Sequence, residues 1–228
     1  HLNKDEIKKV SNHAHIRAIK MYPKGATTNS ESGISDISKF YPLFEAMEKY
    51  GVILSIHGEV TNEKVDVFDR EKVFIENVLT KIANYFPNLK IVLEHITSKD
   101  AVNFINQQQK MAATITIHHL IINRNAMLSK GIRPDLYCAP ILKTEYDRLA
   151  LVQAAISGSK KFFLGTDSAP HVDNKKISPC GCAGIFSSPL AISLLIQLFE
   201  EYDSLNKIDT FISKNGRMFY DINRQKKR

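Results

Sequence analysis

Residues 162–171, Phe-Phe-Leu-Gly-Thr-Asp-Ser-Ala-Pro-His, read as a short buried strand that delivers Asp167 to its C-terminal tip, followed by a turn carrying His171. An acid at the end of an apolar run suits a metal-bound proton shuttle on an α/β scaffold, and suits equally a plain cap for the turn before Ser168 and Pro170. Three further polar residues close apolar runs and bear on the choice: Lys20, His57 and His95. Each alone has a structural use, the histidines as satisfied half-buried side chains and the lysine as a snorkelling one. As a set, two imidazoles and a carboxylate are donor types of a catalytic zinc with an open position. An ammonium cannot ligate a cation. A lysine joins such a set only after reaction with carbon dioxide, as an anionic carbamate whose two oxygens can bridge two metals.

The elements that must position these residues alternate along the chain. Strand-like runs at 16–21, 52–56, 89–93, 112–117, 136–141 and 162–167 are separated by helical spacings at 35–50, 69–86, 98–109 and 145–157. Two more helices are expected at 190–202 and 207–219. The helix at 35–50 is closed by Gly51, that at 69–86 stops before Pro87, and Ser98 caps the third. The apolar runs are continuous rather than alternating, which argues for a parallel sheet covered by helices. Lys20, His57, His95 and Asp167 all fall at C-terminal strand ends. Four tips converging on one centre is barrel geometry, since a flat sheet would spread them out. The expected architecture is α/β, a TIM-type (β/α)8 barrel with about six of its eight strands present.

Composition narrows the function class. The 31 Lys and Arg against 24 Asp and Glu give a net charge of +7, scattered over separate segments and compatible with a small anionic substrate. The basic stretch 224–228 reads as a solvated end rather than a nucleic-acid arm. No apolar run approaches the roughly 20 residues that span a bilayer, and residues 1–9 carry no secretory apolar core. Three cysteines argue against a disulfide scaffold and for a reducing, cytoplasmic setting. Cys180-Gly-Cys182 lacks the second pair of a closed zinc site and reads as a loop with free thiols.

Several longer motifs occur in order: Lys20-Met-Tyr-Pro with Ala26-Thr-Thr-Asn-Ser30, Ile56-His-Gly-Glu-Val60, Phe68-Asp-Arg-Glu71 and Leu93-Glu-His-Ile-Thr97. Ala113-Thr-Ile-Thr116, Asn123-Arg-Asn125, Arg133-Pro134, Phe163-Leu-Gly-Thr-Asp-Ser-Ala-Pro-His171 and Cys180-Gly-Cys-Ala-Gly184 follow. Together they resemble the dihydroorotase family, of the type related to the enterobacterial homodimeric enzyme, within the amidohydrolase superfamily. The resemblance implies two Zn²⁺ per subunit bridged by N6-carboxylated Lys20, with His57 and His95 on one zinc. Asp167 would bind the other and serve as general acid and base. His171 would contact the substrate carboxylate, aided by backbone groups at Ala139 and Ala183, with His57 also near the substrate. Thr27 and Thr28 match a loop that closes over it. The implied reaction is the reversible cyclisation of N-carbamoyl-L-aspartate to L-dihydroorotate in pyrimidine biosynthesis, by a cytoplasmic homodimer with no nucleic-acid or membrane partner. The alternatives are another cyclic amide hydrolase, hydantoinase- or allantoinase-like, or a catalytically silent barrel scaffold.

The silent reading draws on the family's first strand. There a His-x-His pair completes the second zinc site, and an arginine and an asparagine nearby hold substrate. Residues 1–228 are therefore expected to form one barrel domain lacking its first two strands. His13-Ala14-His15 has the right spelling but opens the strand that ends at Lys20. At about 3.3 Å per residue it lies about 15 Å or more from that tip, toward the opposite end of the barrel. His118 and His119 are expected in a loop near the top, with His119 within reach of backing the site.

Overall fold

The computed structural model describes residues 2–27, 30, 33–34, 36–179 and 181–222; Thr28, Cys180 and the basic stretch 224–228 lie outside them. Five strands pair in chain order, β1 (Ala18–Met21), β2 (Ile53–His57), β3 (Ile91–Glu94), β4 (Met111–Ile115) and β5 (Phe162–Leu164). Every pairing is parallel, and each new strand is added on the same side of the last. A doubly wound sheet would reverse direction at a switch point, whereas a barrel adds strands one way round.

The strand period of two splits the apolar residues between two faces. Met21, Leu54, Ile56, Ile91, Leu93, Ala113, Ile115 and Phe162 face the helices and form the main core with Phe44, Met47, Leu79, Ile82 and Ile105. Ile53, Val92, Ala112 and Phe163 form a smaller core on the inner face. Continuous burial of β2 and β4 follows from having both faces covered. On the inner face, the same alternation that places Ala18, Ile53 and Val92 low in the sheet brings Lys20, His57 and Glu94 to its upper rim.

The covering helices carry local signals that fix their ends. Tyr41–Tyr50 closes at Gly51, whose φ of 69° is left-handed backbone that glycine adopts freely. Ser98 caps Lys99–Gln107, and Thr144 with Asp147 forms a capping box on Glu145–Ile156. The stretch expected as one helix from 69 to 86 is Arg70–Phe74, a π-helical turn at Ile75–Leu79, and Thr80–Tyr85. Lys4–Ser11 forms a helix that the polar composition of this stretch did not suggest. Its capping box joins Asn3 and Glu6, and its Ile7 is fully buried.

Three expectations are corrected. Five strands are present among the described residues, not six. Residues 136–141 form no strand: Pro134–Leu136 is a 3-10 turn, and the Pro140 carbonyl is taken by side chains instead of a ladder. His118 and His119 are not loop residues but sit buried on the helix Ile117–Ile121, which Thr116 caps. The segment 207–219 is helical as expected: a 3-10 turn at Leu205–Lys207 runs into a π-helical turn at Thr210–Lys214 and on into Asn215–Phe219. Phe219 and Tyr220 at its end lie against Phe163 on the inner face, at 6.2 and 5.8 Å between rings.

Candidate active site

Lys20 is the penultimate residue of β1, opposite Ser55. Its ammonium reaches across β2 to pair with Glu94 Oε2. Although 40% of the side chain stays accessible, desolvation within the crowded rim lowers its pKa to about 8, against the opposing charge of Asp167.

His57 ends β2 and is buried, with Nε2 2.7 Å from the Glu59 carboxylate, which is buried too. A carboxylate accepts, so Nε2 carries a proton and Nδ1 is the nitrogen left to ligate. That arrangement presets an imidazole as a metal ligand.

Strand alternation would send His95 outward, because Glu94 before it faces in. A φ of 44° at His95 turns the side chain back, and its ring lies 4.7 Å from that of His57. The His95 amide donates to Thr114 Oγ1 at 2.7 Å, which fixes the reversal. Burial first, then the charges of His57 and Lys20, push the His95 pKa well below its usual value, so the ring is neutral. Its Nδ1 is buried without a hydrogen-bond partner.

The turn after His95 is latched from below by Glu71. This fully buried carboxylate accepts from the Thr97 amide and hydroxyl at 2.8 and 2.9 Å, and from the Ser98 amide and hydroxyl at 3.0 and 2.5 Å. Burial raises its pKa, opposed by the charge of Lys143 and by these hydrogen bonds.

Asp167 follows β5 through Gly165, where a Cβ would come within 2.7 Å of Thr114 Cβ. Close approach of β5 to β4 therefore requires glycine there. Asp167 has a φ of 40°, and desolvation raises its carboxyl against the charges of Lys20 and His57. Glu94, His95, Thr114, Gly165, Asp167 and Tyr220 line one cleft of about 550 Å³.

His171 stands beside the cleft with Nε2 3.2 Å from the Ala183 carbonyl. Ala183 is buried and Ala139 half-buried. Gly184 packs on Ala169 so closely that a Cβ would lie 2.6 Å from its Cβ. Thr27 forms a tight turn with Ser30, donating its amide to Oγ at 3.0 Å and accepting the hydroxyl at 2.5 Å. His13 and His15 are exposed ahead of β1, at the end away from Lys20, as their position in the strand dictates.

Ligand atoms of His118, His119 and Cys138 lie within 4.8 Å of one another. This cluster serves the core instead. His119 is held by Thr116 Oγ1 at 2.7 Å and the Pro140 carbonyl at 3.0 Å, and the Cys138 thiol donates to that same carbonyl at 3.3 Å. Burial pushes the thiol up to about 12 despite the nearby Lys143 charge, and that charge also opposes a cation. Glu59, Glu71 and Thr114 escaped the sequence reading of the site. Glu59 had a signal, two residues beyond His57 at the same strand end. Glu71 and Thr114 stood inside the longer motifs without a role, because they act through contacts with distant residues.

A buried neutral imidazole with an orphaned nitrogen, a second imidazole held by a buried carboxylate, an acid and a depressed lysine have the donor types of a metal site. A run of parallel strands with such donors at the C-terminal tips defines the class, a (β/α) barrel carrying a metal-type site. The chain belongs to the amidohydrolase family, whose profile matches residues 2–223. It is 54% identical over 221 residues to a protein of Shewanella oneidensis named dihydroorotase, covering 96% of this chain and 64% of that one. The crystal structure of dihydroorotase in complex with 5-fluoroorotic acid from Saccharomyces cerevisiae superimposes with a TM-score of 0.89 at 38% identity, covering 97% of this chain and 65% of that one. Dihydroorotase from Campylobacter jejuni gives 0.89 at 36%, covering 99% and 64%. The chain thus spans about two thirds of the length of the relatives it matches.

Proposed function

We propose that this chain forms the larger part of a dihydroorotase, which interconverts N-carbamoyl-L-aspartate and L-dihydroorotate for pyrimidine synthesis in the cytoplasm, as a homodimer. The observation that carries the reading is the placing of Lys20, His57, His95 and Asp167 at four strand tips around one rim. The identity to relatives of that name supports it over a hydantoinase or a silent scaffold. No helix among the described residues is long and apolar enough to cross a membrane, and the scattered charge favours a small anion over nucleic acid.

In this reading His57 and His95 would hold one zinc and Asp167 the other, with Lys20, once carboxylated, as a shared ligand and further ligands from strands ahead of β1. When bound, the metal pair supplies an acidified water and a polarised ring amide carbonyl. The lowered Lys20 pKa supports carboxylation, since only a neutral amine reacts with carbon dioxide. Glu59 holds the proton on His57 Nε2 and so keeps Nδ1 basic. Asp167, its carboxyl already raised, takes a proton during attack and returns it to the leaving ring nitrogen. His171 and backbone groups at Ala139 and Ala183 orient the substrate carboxylate, while the loop bearing Thr27 and Thr28 excludes water.

Turnover of dihydroorotate by the protein extended at its N-terminus to the length of its relatives tests the reading. Asp167→Asn is expected to lower kcat by at least about 100-fold, the scale of a lost general acid–base. A zinc-loaded parent protein without turnover contradicts the assignment.

A further inference from the structure

The two loops given to the substrate carboxylate are joined by a side chain with no part in the chemistry above. Lys176 ends the short helix Asp173–Lys176 and is only 7% exposed. Its ammonium donates to the carbonyls of Tyr137 at 2.8 Å, Cys182 at 2.8 Å and Gly184 at 2.7 Å. Three protons meet three oxygens, so every donor of the ammonium is taken by a backbone carbonyl. Burial lowers its pKa, with Cys138 and Asp135 opposing. A lysine is almost never buried unless its donors are satisfied.

The acceptors are placed with regularity. Cys182 and Gly184 flank Ala183, and Tyr137 lies two residues before Ala139. With the carbonyls of Cys182 and Gly184 turned toward Lys176, that of Ala183 meets His171 Nε2. The Gly184 amide also donates to the Tyr137 carbonyl at 2.9 Å, and the Cys182 amide to the Lys175 carbonyl at 3.1 Å. Loosening one loop therefore loosens the other and the ring of His171.

We infer that Lys176 is a positioning residue for the substrate carboxylate: it clamps the loops at 137–139 and 182–184 in mutual register without touching the substrate. The inference rests on the functional reading above. Lys176→Met keeps the length and removes every donor, whereas Lys176→Arg keeps the charge but spreads its donors in a plane that cannot match three converging carbonyls. In the N-terminally extended protein, Lys176→Met is expected to raise KM for dihydroorotate at least tenfold, with kcat within threefold and zinc content unchanged. Lys176→Arg is expected to fall between it and the parent. Amide exchange is read in parallel and needs no turnover. It should quicken at least tenfold for Gly184 and its loop neighbours in the Met variant, and stay unchanged in the strands. Unchanged KM, unchanged exchange, or a parallel loss of kcat and zinc would each overturn the inference. Should Lys176→Met not fold, Lys176→Arg decides by the same readouts, unchanged KM and exchange counting against it. A parent protein that leaves dihydroorotate untouched sinks the functional reading alone, and the exchange data still test the clamp.

Discussion

Glu59 governs what His57 can do. A ring nitrogen held at 2.7 Å by a buried carboxylate cannot exchange its proton for a metal, so the other nitrogen is committed as a donor. Glu59→Gln is expected to weaken zinc binding by about 10- to 100-fold, measured by competition with a calibrated chelator, because the amide orients the ring without enhancing its basicity. His118 makes a different prediction. Burial lowers its pKa from 6.5 to about 4, so the folded ring is neutral where the unfolded one already binds a proton. Its depressed pKa leaves stability intact above pH 6.5, and stability is lost as pH falls toward 4. Urea titrations across this window should show a slope of about 1.4 kcal/mol per pH unit from this residue, absent in His118→Gln. At this scale Lys20, His57, His95 and Asp167 were legible because each breaks an apolar run with a group that has chemistry. Glu71 and Lys176 were not, because a buried charge reveals its purpose only through partners remote in sequence.

β3, β4 and β5 work as a unit at the rim. Thr114 of β4 accepts the His95 amide and leaves no space for a side chain at position 165 of the β5 exit. Gly165→Ala is expected to push Thr114 aside, with a stability loss of about 1–3 kcal/mol as in other overpacked cores. Weaker zinc binding should accompany it, since His95 moves with Thr114. Calorimetry and the chelator competition read the two effects. The strands at 52–56, 89–93 and 162–167 were readable from their apolar runs. The extended reading of 136–141 failed because Pro140 cannot donate to a ladder and its carbonyl serves His119 and Cys138. The helix under His118 and His119 went unseen because five residues, Ile117–Ile121, are too few to show a period.

Across the whole molecule, one-way parallel winding gathers residues from four strands onto one rim. β1 and β5 each have one strand partner among the described residues. A barrel of this class closes by pairing such edges through further strands. The central claim is that these tips hold a metal pair joined by a modified lysine. Anomalous scattering at the zinc edge, on crystals of the N-terminally extended protein, tests it most directly. The account predicts two zinc peaks, with His57 and His95 at one, Asp167 at the other, and carbamate density on Lys20 between them. A single peak, or a bare Lys20 ammonium still paired with Glu94 beside bound zinc, would contradict it.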